Sequence, residues 1–203
     1  MSASANRDPS RIKSGTGFRR DMRRRLTRAG GAGYGRPWGT RGSAVPKLYW
    51  EDFAPGQVTE YGPYEVTAEE IKAFAAEFDP QPMHLDEEAA RASMVGGLCA
   101  SGWHSCAIMM RIIADGFVLD SASMGATGCG EVKWLAPVRP GDRLRVRMQV
   151  IDKRASNSRP EMGFVNARLD MLNADDVRVM TLTPHFILGR RSPSAGDGEK
   201  AGA

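Results

Sequence analysis

An aspartate and a histidine lie close together in the stretch FDPQPMHLDEEAARASMVGGLCASGWHS, residues 78–105. Two prolines stand between Asp79 and His84. Prolines lack an amide donor and restrict the residue before them, so residues 79–84 are predicted to form a rigid loop. A carboxylate and an imidazole held on such a loop can hydrogen-bond one water, one accepting its proton while the other relays a proton. The spacing therefore indicates general acid–base chemistry.

Each of these side chains also has a structural interpretation. An aspartate before a proline often caps a turn, and Asp79 could do only that. His84 could be a structural hydrogen-bonder, His104 lies in an apolar segment typical of a satisfied core histidine, and His185 favours a packing role. The serines beside His104 do not indicate a nucleophile, because no acid stands at a spacing that would orient that ring.

The most apolar segment runs from Gly102 to Ala114, with the sequence GWHSCAIMMRIIA. Arg111 is its only charged residue, and apolar side chains occupy every face, so the pattern predicts a helix buried all round. The Gly102 amide would then be an unpaired donor at the helix N-terminus, where the dipole is positive. A carbonyl oxygen docked there would be polarised.

Two shorter helices are predicted before this one. In TAEEIKAFAAEF, Thr67 as N-cap with Glu70 three residues later forms a capping-box pattern, and the helix should end near Asp79. DEEAARAS has acids suited to a first helical turn, and Gly96-Gly97 is predicted to end that helix.

Strands are indicated by residues that alternate between apolar and polar. Leu144, Val146, Met148 and Val150 alternate with polar side chains, as in a half-exposed strand. Four other segments have strand character: GQVTEYGPYEV, GATGCGEVKWL, GFVNARLDML and VRVMTLTPHFIL. This order predicts an α+β fold with an antiparallel sheet wrapped around a buried central helix.

Charge is distributed unevenly along the 203 residues. Residues 1–46 hold 11 of the 28 basic groups and 2 of the 24 acids, a net charge of +9, which leaves −5 for the remainder. Because this segment is also rich in glycine, residues 1–46 are predicted to be a disordered tail. Residues 47–190 are predicted to form the folded domain, and residues 191–203 a disordered C-terminal tail.

Composition argues against several classes of protein. The acidic balance of the predicted domain argues against a nucleic-acid-binding domain. The sequence contains no run of about 18 apolar residues, so no membrane span is expected. The three cysteines have spacings that match no zinc or disulfide pattern. Unpaired thiols are typical of a reducing compartment, so the expected location is the cytoplasm. The Arg-rich start lacks a secretory signal, although it has some character of an organellar transit peptide.

The opening stretch resembles the signature of the MaoC-like dehydratases, the R-specific enoyl-CoA hydratases of the hotdog fold. That signature runs through an aspartate, prolines, a histidine, an acid two residues further on, and a glycine that enters the central helix. Asp79, Pro82, His84, Asp86 and Gly102 follow in that order. VKWLAPVRPGDRLRV resembles a second family segment, so the similarity covers most of the predicted domain.

The resemblance implies reversible addition of water to a trans-2-enoyl thioester, without metal or redox cofactor. It assigns Asp79 and His84 as the pair that activates water, and the Gly102 amide as an oxyanion donor. Further oxyanion or substrate-binding residues would be Ser101, Gln81 and Trp103. It also implies a homodimer, with CoA crossing the subunit boundary.

This chain departs from the family pattern at two places. The family usually has glycine before the aspartate and asparagine two residues after it, where Phe78 and Gln81 stand here. Ser101 replaces a histidine that commonly precedes the helix glycine. Gln81 can still orient Asp79, because it donates and accepts as asparagine does. Phe78 and Trp103 are expected to reshape the acyl pocket.

Three alternative functions remain open at this point. His84 and Asp86 with a distant His185 match the H-x-D…H pattern of a facial-triad iron oxygenase, which would require a jelly roll. A hotdog thioesterase commonly carries its catalytic carboxylate on the central helix, and residues 98–114 contain no acid. A non-catalytic acyl-thioester-binding protein of the same fold is the third.

Overall fold

The computed structural model describes residues 45–191. These residues form five strands, β1 (Val58–Glu65), β2 (Ser123–Trp134), β3 (Arg143–Ala155), β4 (Met162–Leu172) and β5 (Arg178–Gly189). They also form four α-helices, α1 (Ala68–Phe78), α2 (Pro82–Leu85), α3 (Glu87–Ala92) and α4 (Gly102–Gly116). Short 3₁₀ turns lie at Trp50–Asp52 and Val118–Asp120.

The strands form one antiparallel sheet in the order β1-β3-β4-β5-β2. Strands β3, β4 and β5 follow one another in the chain and pair with their neighbours, whereas β1 and β2 are the two edges. The long helix α4 lies between β1 and β2 in the chain and contacts β1 and β3. The predicted α+β architecture is therefore confirmed.

The alternation predicted for the strands is present in the core. Leu144, Val146, Met148 and Val150 of β3 are all buried. The apolar positions of β4 lie on the same face and pack with the helix residues Ile108, Met109, Ile112 and Ile113 in one hydrophobic cluster. This cluster fixes α4 against one face of the sheet, which is why the start of α4 has a defined position.

The prediction that α4 is buried all round is wrong for the single chain. Trp103 is 64% exposed and Met110 is 48% exposed, and Arg111 forms an ion pair with Asp115 at 2.7 Å. A single sheet covers only one side of a helix. The opposite side of α4 therefore presents apolar side chains at the surface.

The shorter helices follow local sequence signals with two differences. Thr67 Oγ1 accepts from the Glu70 amide at 3.2 Å, so the predicted N-cap of α1 forms. Residues 79–84 are not wholly a loop, because Pro82 starts the one-turn helix α2; proline at a first helical position loses no hydrogen bond. Helix α3 ends at Ala92, before Gly96-Gly97, whose positive φ angles shape the next loop.

Residues at both ends of the described range contact the rest of the domain. The Lys47 amide donates to the Asp120 carbonyl at 2.7 Å, and the Trp50 indole donates to the Phe164 carbonyl at 3.1 Å. Arg191, the first residue of the predicted C-terminal tail, contacts the Asp52 carboxylate at 2.7 Å. The rest of both predicted tails lies outside the described residues.

None of the helices within residues 45–191 is long and apolar enough to cross a membrane.

Candidate active site

The carboxylate of Asp79 is held from both sides at the end of α1. Asp79 is the C-cap of this helix, and its amide donates to the Ala75 carbonyl at 3.0 Å. Gln81 Nε2 donates to Oδ1 at 2.8 Å, and Ser101 Oγ donates to Oδ2 at 2.5 Å. The Ser101 and Gln81 hydrogen bonds hold the pKa of Asp79 below its usual range, so it is a carboxylate at neutral pH.

His84 lies in the helical turn α2 and is buried. Its Nδ1 is 2.8 Å from the Cys99 carbonyl oxygen. A carbonyl oxygen only accepts, so this contact assigns the hydrogen of the neutral ring to Nδ1 and leaves the lone pair on Nε2. Nε2 lies 3.7 Å from Asp79 Oδ2, with the His84 side chain 6% exposed and that of Asp79 19%.

Two acceptors therefore face one another at the wall of the site. A separation of 3.7 Å is too long for a direct hydrogen bond between Nε2 and Oδ2. One water molecule has two hydrogens and can donate to both atoms, which leaves its own lone pairs directed away from them. The arrangement suits activation of a water as a nucleophile.

The N-terminus of α4 borders this pair. Ser101 is the N-cap, is fully buried, and its Oγ accepts from the Trp103 amide at 3.3 Å. No hydrogen bond among residues 45–191 has the Gly102 amide as its donor, as expected for a first helical turn. This amide lies at the positive end of the α4 dipole and suits an anionic oxygen.

Gly102 has no room for a side chain. A Cβ built at Gly102 would lie 2.7 Å from the Trp134 ring, whose indole nitrogen donates to the Gly102 carbonyl at 2.9 Å. Trp134 also meets Trp103 edge-on, with ring centroids 5.8 Å apart. The end of β2 thus packs directly on the start of α4.

These groups line a pocket of about 550 Å³. Its lining includes every residue predicted for the site: Asp79, His84, Gly102, Ser101, Gln81 and Trp103. The structure brings all six together around the start of α4. Phe78 does not fit the expectation that it shapes the acyl pocket. Its side chain is 61% exposed and packs on Phe74 instead.

Sequence reasoning missed two residues of the pocket lining and one residue that supports the pocket from outside it. The Cys99 carbonyl sets the tautomer of His84, and Trp134 closes one side of Gly102. Arg139 donates to the carbonyls of Val95 and Leu98 at 2.6 and 3.4 Å and ties down the loop before α4. The only sequence signal for the latter two was their place in VKWLAPVRPGDRLRV.

The other histidines lie apart from this pair. His104 is buried and stacks on Phe74 with ring centroids 4.6 Å apart, and burial lowers its pKa to about 4. It is a core residue as predicted, but its Nδ1 has no hydrogen-bond partner within residues 45–191. His185 Nδ1 contacts Asn166 Oδ1 at 2.7 Å between β4 and β5.

The facial-triad alternative is not supported by this geometry. Within the described part of the chain, no three side chains of His, Cys, Asp or Glu are grouped so as to hold a metal ion. The fold is also a single sheet against a helix, whereas that alternative required a jelly roll.

Comparison with known proteins places this chain in a family. The family described as MaoC like domain matches residues 52–168. The uncharacterized protein YdeM of Bacillus subtilis (strain 168) is 35% identical over 130 residues, 64% of this chain and 90% of that protein. The solved MaoC-like dehydratase from Rhodospirillum rubrum is 44% identical, with a TM-score of 0.67 over 71% of this chain and 99% of that one.

A further solved structure shares the fold at lower identity. The unliganded R-hydratase from Pseudomonas aeruginosa is 21% identical, with a TM-score of 0.57 over 71% of this chain and 87% of that one. The sheet wrapped on a central helix is the hotdog fold, as the resemblance implied.

Proposed function

The chain belongs to the MaoC-like domain family, and on that premise we propose that it is an acyl-CoA dehydratase or (R)-specific enoyl-CoA hydratase. The reaction is the reversible addition of water to a trans-2-enoyl thioester. One observation carries the proposal: His84 Nε2 and Asp79 Oδ2 lie 3.7 Å apart, as two acceptors beside the N-terminus of the central helix α4.

Water activation follows from the state of the two side chains. Asp79 is a carboxylate, and the Cys99 carbonyl leaves the lone pair of neutral His84 on Nε2. A water that donates to both is oriented by Asp79 and loses its proton to Nε2 as its oxygen bonds to the β carbon. His84 becomes an imidazolium, which the neighbouring carboxylate stabilises.

The electrons displaced from the carbon–carbon double bond move to the thioester oxygen. The Gly102 amide, at the positive end of the α4 dipole, stabilises this enolate-like oxygen. The imidazolium of His84 then returns its proton to the α carbon, which restores both the thioester and the neutral ring. One water is added and nothing else is consumed, so the reverse sequence dehydrates the 3-hydroxyacyl thioester.

The pocket suits an uncharged acyl group. Its lining is largely apolar and includes Met83, Val95 and Leu135, and no lysine or arginine within residues 45–191 lines it. A free carboxylate on the acyl chain would lie near Asp79 without a compensating cation. The thioester headgroup, whether CoA or a carrier protein, would reach the pocket from its open side.

We also propose that the chain acts as a homodimer. The outer side of α4 and the end of β2 expose large apolar side chains that one chain does not cover: Trp103, Met110, Trp134 and Leu135. Among the described residues, strand β2 pairs only with β5 and is an edge of the sheet, which a second strand can extend. A two-fold copy on this side would adjoin the pocket, because Trp103 and Trp134 belong to both.

The decisive experiment is to incubate the protein with a panel of trans-2-enoyl-CoA substrates of increasing chain length. Hydration is measured as the loss of the absorbance of the conjugated thioester. Hydration with retention of the thioester supports the proposal. Release of free CoA thiol without hydration would indicate a thioesterase, for which α4 offers only Asp115, an exposed acid paired with Arg111. Binding of the whole panel without turnover would indicate a non-catalytic acyl-thioester-binding protein.

A further inference from the structure

The Ser101 hydroxyl has two hydrogen bonds, and both lie within the protein. Ser101 Oγ donates to Asp79 Oδ2 at 2.5 Å and accepts from the Trp103 amide at 3.3 Å. The residue is fully buried and its carbonyl accepts from Ser105 Oγ at 3.2 Å, so its position follows that of α4. The hydroxyl thus links the carboxylate on α1 to the first turn of α4.

This arrangement is incompatible with a role for Ser101 as an oxyanion donor. A serine hydroxyl has one hydrogen, and in Ser101 that hydrogen is directed to Asp79. Of Ser101 and Gly102, only the Gly102 amide is therefore free to donate a hydrogen bond to an oxyanion. The hydroxyl acts on the carboxylate.

We propose that Ser101 is a positioning residue that fixes the Asp79 carboxylate relative to the Gly102 amide. The inference rests on the proposed hydration reaction, in which one group orients the water and the other binds the thioester oxygen. Because Ser101 and Gly102 are consecutive, a single N-cap residue sets the distance between these two functions. A misplacement of about 1 Å in such an arrangement can cost about 100-fold in rate.

The surroundings of Asp79 support this role. Gln81 holds Oδ1 at 2.8 Å, but its side chain comes from the same loop and is exposed, so Ser101 is the buried anchor. Within residues 45–191, His84 is the titratable side chain that faces this carboxylate, with Nε2 3.7 Å from Oδ2. Removal of the Ser101 hydroxyl would take away the largest contribution that lowers the Asp79 pKa.

A direct test is the titration of Asp79 by ¹³C NMR of aspartate-labelled protein, with Asp79→Asn to identify the resonance. Ser101→Ala and Ser101→Gly should each raise the Asp79 pKa. Glycine serves as an N-cap nearly as well as serine, so the second variant removes the hydroxyl while keeping the helix start. Ser121→Ala removes a hydroxyl that donates to the Val118 carbonyl at 2.9 Å, away from the pocket, and should leave this pKa unchanged. An unshifted Asp79 titration in both Ser101 variants would overturn the proposal.

Activity supplies a second readout. Ser101→Gly should lower kcat by about 10- to 100-fold with little change in KM, yet have almost no further effect in an Asp79→Asn background. An equal loss in both backgrounds would show that Ser101 does not act through Asp79 and would refute the proposal. If no thioester is hydrated but the Asp79 pKa rises as stated, the positioning role stands and the proposed reaction fails.

Discussion

His84 Nε2 lies 3.7 Å from Asp79 Oδ2, while Nδ1 of the same ring is 2.8 Å from the Cys99 carbonyl oxygen. The backbone carbonyl thus determines which nitrogen of His84 can act as a base. The carboxylate determines where a water must lie to reach it. The two side chains therefore depend on each other to activate a water molecule.

Asp79→Asn and His84→Gln should each lower turnover at least about 100-fold, because each removes one of the two acceptors that activate water. Both variants should keep the fold, which circular dichroism and a melting curve would check. His185→Gln is a matched control, since His185 contacts Asn166 on the sheet and not the pocket. Near-normal hydration by either pocket variant would refute the assignment.

Stability should fall with acid because of His104. Burial lowers its pKa from 6.5 to about 4, so between these pH values the unfolded chain binds a proton that the folded chain does not. Above the unfolded pKa the ring is neutral in both states, and His104 does not reduce the free energy of unfolding. As pH falls towards the folded pKa, proton binding to the unfolded chain progressively lowers that free energy. The loss should be on the order of 2–3 kcal/mol, at about 1.4 kcal/mol per pKa unit with some screening by solvent.

Urea unfolding of the wild type and of His104→Phe between about pH 7.5 and pH 4.5 would measure this effect. The variant cannot titrate at this position, so its free energy of unfolding should fall less over the same range. The comparison uses the difference in slope, which does not depend on how well phenylalanine packs on Phe74. Parallel curves for the two proteins would show that His104 is not the cause.

Gly102→Ala should destabilise the protein by about 1–3 kcal/mol, because the new methyl overpacks the site. A Cβ there would lie 2.7 Å from the Trp134 ring. Turnover should fall as well, since the displaced first turn moves the amide that binds the thioester oxygen. Trp134→Ala makes room, so the same glycine substitution should cost less stability in that background. A loss of the same size in both backgrounds would contradict steric exclusion by Trp134.

Met110→Glu should weaken the proposed homodimer, because Met110 lies on the outer side of α4 and is 48% exposed in the single chain. Light scattering and sedimentation over a concentration series would measure the shift toward monomer. Val58→Glu is a matched control, since Val58 is 54% exposed on β1, at the opposite edge of the sheet. A fully active wild-type monomer at all concentrations would exclude the dimer as a requirement.

Several parts of the structure could be predicted from the sequence because they depend on local patterns. Alternation in β3 identified Leu144, Val146 and Met148 as core residues, and all three are buried. The threonine before α1 forms the predicted N-cap. An ordered motif was enough to select the residues of the candidate site, all of which line one pocket.

Other features depended on the tertiary structure. Asp79 and Ser101 are 22 residues apart and Gly102 and Trp134 are 32 apart, and nothing in their spacing indicates that their atoms meet. The hydrophobic pattern of α4 predicted burial all round, yet one sheet covers only one side of the helix. Periodicity reports which side chains are apolar. The chain path through space decides which polar atoms face one another, and here it directs Ser101 to the carboxylate and Nε2 of His84 to the pocket.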